Sequence, residues 1–141
     1  MLKLKICLFL IFFSAFNFAY ADESHPGITT RLVIRSSNDW SGAQLPPYLS
    51  DMPEIALMRY TIPPQTALLI HQHPAINAAY VMDGEVTVFK EGGAQRTFQK
   101  GEAIIEMVGQ WHHGVNQGTV PTELIVFYAT AENLPLAIKK D

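Results

Sequence analysis

Residues 85–108 read EVTVFKEGGAQRTFQKGEAIIEMV, and this run limits the fold more than any other stretch of the chain. In an extended segment Val86 and Val88 point to one side and Thr87 and Phe89 to the other. EGGAQ follows as a hairpin signal, and Gly101 divides the remainder into two further short strands. The pattern recurs on both sides. RLVIR (31–35) alternates around Leu32 and Ile34, and EIALMRYTI (54–62) is β-rich and stops at Pro63-Pro64. ALLIHQH (67–73) leads into a pair of histidines, and ELIVFYA (123–129) closes the set. No stretch beyond residue 21 has helical periodicity. Short strands divided by Gly and Pro turns predict an all-β, antiparallel sandwich or barrel.

The first 21 residues belong to a different category. MLKLKICLFLIFFSAFNFAYA has two lysines, an apolar run over 6–16 broken by Asn17, and small residues at Ala19-Tyr20-Ala21. A basic start, a short apolar middle and a small-residue site read as a secretory signal peptide. The run is too short to span a bilayer comfortably, and Cys7 sits inside it rather than after a lipidation site. The mature chain is expected to start at Asp22, in the periplasm or outside the cell. Losing Lys3 and Lys5 takes the formal charge from −3 to −5. That excludes attraction to nucleic acid or, once the signal is removed, to an anionic membrane. The lone cysteine leaves as well, so any metal must be held by nitrogen and oxygen donors. The expected layout is a signal peptide over 1–21, an N-terminal arm with a first strand over 22–50, and one barrel domain over 51–141. SSNDWSGAQLPPYLSDMP (36–53) reads as an ordered arm or lid, because it carries Trp40 and Tyr48.

His71 and His73 stand two apart on a predicted strand, so both side chains leave the same face and can reach one ion. Besides these the mature chain has only His25 and the pair His112-His113. The pair also follows a predicted strand, and in an extended segment the two rings face opposite sides.

Here the chain resembles the cupins, small double-stranded β-barrels with two short motifs. The first motif runs glycine, five residues, His-x-His, three or four residues, glutamate, six residues, glycine. In this sequence it falls on Gln65, His71, His73, Asn77 and Gly84. The second runs glycine, five residues, proline, x, glycine, two residues, histidine, three residues, asparagine. It falls on Gly101, Met107, Gly109, His112 and Asn116. Gln65, Asn77 and Met107 depart from the pattern. The motifs cover residues 65–116, and the strand pattern extends the likeness over most of the mature chain. The resemblance implies a cupin-type double-stranded β-helix with His71, His73 and His112 as ligands of one divalent transition metal. It also implies a homodimer, for which residues 29–34 are a candidate exchanged strand.

Asn77 stands where the family has a ligating glutamate. It is read in two ways. As a site residue it leaves the ion's charge uncompensated, which favours a substrate with its own anionic oxygen. As a bland residue it serves the turn after Pro74. Imidazole donors without the carboxylate suit Fe, Ni, Cu or Zn better than Mg, Ca or Mn. Glu106, inside the apolar run AIIEMV, is a candidate base or substitute ligand if it faces inward, and a solvated residue if it does not. Trp111, Tyr80 and Tyr128 line either a pocket or the core, Met82 and Met107 fill gaps, and Glu102 serves a turn. The fold hosts unrelated functions, so three readings follow. The first is an exported enzyme of dioxygenase type acting on a small enol-like, dicarbonyl or carboxylate compound, with Asn77 or Glu106 handling protons. The second is a periplasmic small-molecule binding or sensing module without turnover. The third, a metal-free barrel, leaves the His-x-His pair without a role and ranks last.

Overall fold

Period-two alternation and closely spaced turns produce ten strands among residues 27–140, the part of the chain that the computed structural model describes. They are β1 (Pro53–Ile62), β2 (Thr66–Ala67), β3 (His71–Gln72), β4 (Ile76–Asp83), β5 (Glu85–Lys90), β6 (Gln95–Gln99), β7 (Ala103–Ile105), β8 (His112–Asn116), β9 (Thr122–Ala131) and β10 (Ile138–Lys139). The described residues contain no helix. The chain divides into two units, Met1–Arg31 and Leu32–Asp141. Of the first, only 27–31 are described, and they are exposed and without regular structure. The leader read at 1–21, Cys7, Asp22 and His25 lie outside the described residues.

Leu32–Asp141 holds two antiparallel sheets. One runs in the order β1-β9-β4-β7, the other β10-β3-β8-β5-β6 with β2 paired to β8. The inward faces meet in one core: Ile62, Ala79, Val81, Leu124, Val126 and Tyr128 come from the first sheet, with Ile104, and Val86, Val88 and Phe98 from the second. Successive strands pass back and forth between the sheets, so residues distant in sequence share the interior. The all-β antiparallel architecture expected from the strand pattern, and the double-stranded barrel that the family resemblance implies, are the observed fold.

Three expectations change. RLVIR forms no strand; the first strand is β1, at Pro53, and residues 27–50 hold only an isolated bridge between Asn38 and Gln44. Alternation alone does not make a strand, because a strand also needs a neighbouring strand to pair with, and no ladder among the described residues includes 31–35. Conversely, Ile76–Asp83, to which the sequence analysis assigns no strand, is an eight-residue strand central to its sheet. Nor does ELIVFYA close the set: after β9 the chain returns, and β10 pairs with β3.

The arm over 36–53 is ordered but is not a lid. Trp40 packs edge-on against Phe98, with centroids 6.2 Å apart, and its backbone N–H donates to the Ile105 carbonyl. Asp39 Oδ1 accepts from the backbone N–H groups of Ser41 and Ala43 and from the Ser41 hydroxyl. Tyr48 remains 78% exposed. No residue of the arm lines the cavity between the sheets.

Gln65, at the family's glycine position, adopts a left-handed backbone with φ of 54°. That conformation explains the usual glycine. Gln65 occupies it with its side-chain Nε2 donating to the carbonyls of Gln117 at 2.7 Å and Gly118 at 2.9 Å.

Candidate metal centre

The three histidines meet by two separate routes. His71 and His73 lie two apart on one segment, so their rings share a face. His71 is also the direct antiparallel partner of His112 across β3 and β8, which sets those two side chains side by side. Ring centroids lie 4.6 Å apart for His71 and His112, 4.9 Å for His71 and His73, and 5.0 Å for His73 and His112. One ligand nitrogen from each ring lies within 4.8 Å of the others. His73 and His112 are buried and His71 half-buried.

Each ring is tied to the backbone through Nδ1. His71 meets the Leu69 carbonyl at 2.7 Å, His73 that of Leu136 at 2.8 Å, and His112 that of Gln110 at 2.8 Å. A carbonyl only accepts, so in the neutral rings Nδ1 carries the proton and Nε2 keeps its lone pair. Burial, reinforced by the neighbouring imidazoles, lowers the pKa of His73 and His112 to about 4. Both are therefore neutral at pH 7. Nε2 of His112 is buried without a hydrogen-bond partner. A buried lone pair left unsatisfied is costly, and a bound cation removes that cost. Neutral imidazoles with their second nitrogens fixed by carbonyls form a donor set that fits a divalent transition ion.

Asn77 and Glu106 stand beside this cluster. Asn77 is not a turn residue. It lies in β4, 1% exposed, on the inward face with Ala79 and Val81. Its Nδ2 makes one long contact, 3.4 Å, to the Ala75 carbonyl, and its Oδ1 has no partner. Glu106 follows β7, and its backbone N–H donates to the Asn77 carbonyl at 3.2 Å. The two side chains thus enter the same region from neighbouring segments. The Glu106 side chain is 12% exposed, with Oε2 buried, unpartnered and 3.6 Å from His112 Nε2. Burial, with Asp39 adding, raises the Glu106 pKa to about 7. Because His112 is neutral, this contact is not an ion pair.

These groups line one cavity of about 320 Å³ whose other walls are largely apolar, among them Leu68, Val86, Val88, Ile104, Leu124 and Val126. Tyr60 and Tyr128 reach into it with hydroxyls 3.2 Å apart, and the Tyr128 ring lies edge-on to His73. Burial first, then the Tyr60 hydroxyl, raises the Tyr128 pKa, so it stays a protonated donor. Lys139 of β10 also lines the cavity.

His113 points away, as an extended segment requires, and stacks on Phe89 at 5.3 Å. Trp111 lies near the Lys140 ammonium, outside the cavity. Tyr80 and Met82 are on the exposed side, while Met107 is fully buried. Glu102 accepts the Gln99 N–H in its turn. Asn116 has a structural task. Its Nδ2 donates to the carbonyls of Ile62 and Val120, and its Oδ1 accepts from the Gly118 N–H. Sequence reasoning missed Tyr60, Lys139 and the Leu136 carbonyl behind His73. Only Tyr60 left a trace, as the residue two before buried Ile62 on the same face of β1.

The family model of the cupin domain matches residues 58–128, including both histidine motifs. This chain belongs to the cupins. No curated protein matches it. Among solved structures this cupin is similar to a DMSP lyase, DddQ, from Ruegeria pomeroyi, at 20% identity and a TM-score of 0.54 over 61% of this chain and 43% of that one. It is similar to an oxalate oxidase in complex with the substrate analogue glycolate, at 22% and 0.53 over 60% and 45%. It is also similar to an uncharacterized double-stranded β-helix protein from Klebsiella pneumoniae, at 20% and 0.53 over 84% and 90%. The chain thus spans under half the length of the lyase and of the oxidase. At these identities the likeness is one of fold.

Proposed function

We propose that this cupin is an exported, metal-dependent enzyme that carries out oxygen-dependent cleavage of a small enol-like, dicarbonyl or carboxylate compound. The observation that carries this reading is the convergence of three imidazoles, each fixed through Nδ1, in the wall of a cavity sized for a small molecule. His71, His73 and His112 would hold one divalent Fe, Ni, Cu or Zn ion. When bound, a redox-active ion of this set supplies Lewis acidity toward a substrate oxygen and electron transfer to dioxygen. The chain's own groups do the rest. The apolar walls pack the substrate body and exclude water. Asn77 offers its buried amide to a substrate oxygen or hydroxyl, and the Tyr128 hydroxyl donates a hydrogen bond. Lys139 attracts a carboxylate. Glu106 is the one carboxyl among the lining residues.

Oxygen uptake tests this. Protein loaded with Fe, Ni or Cu is expected to consume dioxygen with members of a panel of enolisable dicarbonyls and hydroxy acids. Zinc-loaded protein and His112→Ala are not. A second reading, a non-catalytic binding module, draws support from the scarcity of polar groups on the walls. Saturable binding of the panel with no uptake for any metal would favour it and overturn the enzyme.

We also propose a homodimer. Leu57 and Phe127 are direct partners on the outer face of β1 and β9, exposed at 66% and 43%, with Ile55 nearby at 61%. An apolar sheet face of this kind supports association. Residues 32–34, exposed and in neither sheet among the described residues, support strand exchange. Sedimentation of the chain from Asp22 onward tests the dimer, and a monomer at micromolar concentration would overturn it.

A further inference from the structure

We propose that Glu106 supplies to the bound ion the carboxylate that position 77 lacks. The inference rests on the metal-centre reading above and goes beyond it, since it moves one ligand from its family position to the segment just after β7. Four observations carry it.

Asn77 has the place but not the charge. It sits in β4, buried, facing the cavity beside the three imidazoles. Glu106 has the charge and stands next to that place, because its backbone is hydrogen-bonded to that of Asn77. The carboxyl has therefore moved by one step across the sheet, not away from the site.

Glu106 also has no cationic partner among the described residues. A backbone hydrogen bond from Met107 acts on its carboxyl, but its buried Oε2 accepts no hydrogen bond. That oxygen stands 3.6 Å from Nε2 of the neutral His112. Two donors on one ion at bond lengths of about 2.1 Å stand roughly 3.0–3.5 Å apart. The spacing to His112 is close to that range; Glu106 is not among the residues whose ligand atoms already lie within 4.8 Å of one another, so its side chain must rotate toward the ion to bind it.

The charge balance agrees. Three neutral imidazoles leave a divalent ion with its full charge in a mostly apolar cavity, and burying uncompensated charge is costly. A buried carboxylate without a cation carries the mirror-image cost. Each is the partner the other lacks. The sequence alone counted an uncompensated ion, because it could not place Glu106.

The test uses metal binding by the full mature chain, with cobalt(II) and iron(II) as probes under anaerobic conditions. Chelator competition gives the affinity, and the visible bands of cobalt(II) report its ligands. Glu106→Gln keeps the shape and removes the charge. It is expected to weaken binding at least about tenfold, the lower end for groups that tune a metal site, and to change the cobalt(II) bands. Asn77→Glu/Glu106→Gln returns a carboxylate to the family position and is expected to recover most of the affinity. Wild-type affinity and bands in Glu106→Gln would overturn the proposal. So would a double variant that folds with a wild-type melting temperature yet binds no better than Glu106→Gln. If wild type and His112→Ala alike bind no cobalt(II), the three-histidine centre itself is wrong, a result distinct from either of these.

Discussion

His71 and His112 are direct partners across β3 and β8, 41 positions apart in sequence, with ring centroids 4.6 Å apart. The pairing joins the two histidine motifs, since a one-residue slip in β8 would present His113 instead. His113 lies on the opposite side, stacked on Phe89. His73→Ala and His112→Ala are therefore expected to lose most bound metal, and His113→Ala to keep it. Elemental analysis of protein purified without a nickel column checks this. An empty His113→Ala with a loaded His112→Ala would contradict the register.

Metal-free protein is expected to lose stability on mild acidification. His73 and His112 titrate near 4 when folded and near 6.5 when unfolded, so unfolding takes up two protons across that window. Glu106 acts in the other direction, near 7 folded and 4.5 unfolded, and unfolding releases one. Uptake exceeds release, so stability falls as pH drops from about 6.5 to 4.5, by on the order of a few kcal/mol. Thermal melts of chelator-treated protein at pH 7 and pH 5 measure it. An equal or higher melting temperature at the lower pH would show that these groups do not control it.

Gln65 offers an unusual comparison. Gln65→Ala keeps the left-handed backbone strain and removes both side-chain hydrogen bonds. It is expected to destabilise by about 1–2 kcal/mol. Gln65→Gly loses the same bonds but relieves the strain, and should be more stable than the alanine variant by about 1 kcal/mol. Urea unfolding of the pair decides it, and the reverse order refutes the strain argument.

Asn116 is fully buried and makes three hydrogen bonds to backbone groups at 2.8–2.9 Å. Asn116→Ala leaves two carbonyls and one N–H without it, at a cost of about 2–4 kcal/mol. Calorimetry should show the loss. Unchanged stability would mean water replaces the amide fully.

Export makes a separate prediction from the leader. Secreted or periplasmic protein should have the intact mass of a chain beginning at Asp22. A chain still starting at Met1 in the membrane fraction would show the apolar run to be an anchor.

The strands and both motifs were legible because they depend on neighbours a few residues away. Alternation of Val86 to Phe89, the turn at Gly101 and the spacing of His71 and His73 are local properties. Asn77 was only half legible. Its position in the motif was plain, but the strand around it was masked by Ala78 and Ala79, which lack a β-branched signal. RLVIR erred in the opposite sense, with a strand's pattern and no place in either sheet.

The sequence by itself determined the all-β class, the family resemblance and the set of three histidines, since periodicity and spacing are written along the chain. Only the tertiary structure decided which face is the interior. Strand parity says that residues share a side; the packing of one sheet on the other chooses which side is buried. That choice turned Glu106 and Tyr128 toward the cavity and left Tyr80 and Met82 outside. It also brought the Leu136 carbonyl, 63 positions away, behind His73. Contacts over such distances depend on the whole set of pairings at once, and no short stretch of sequence contains them.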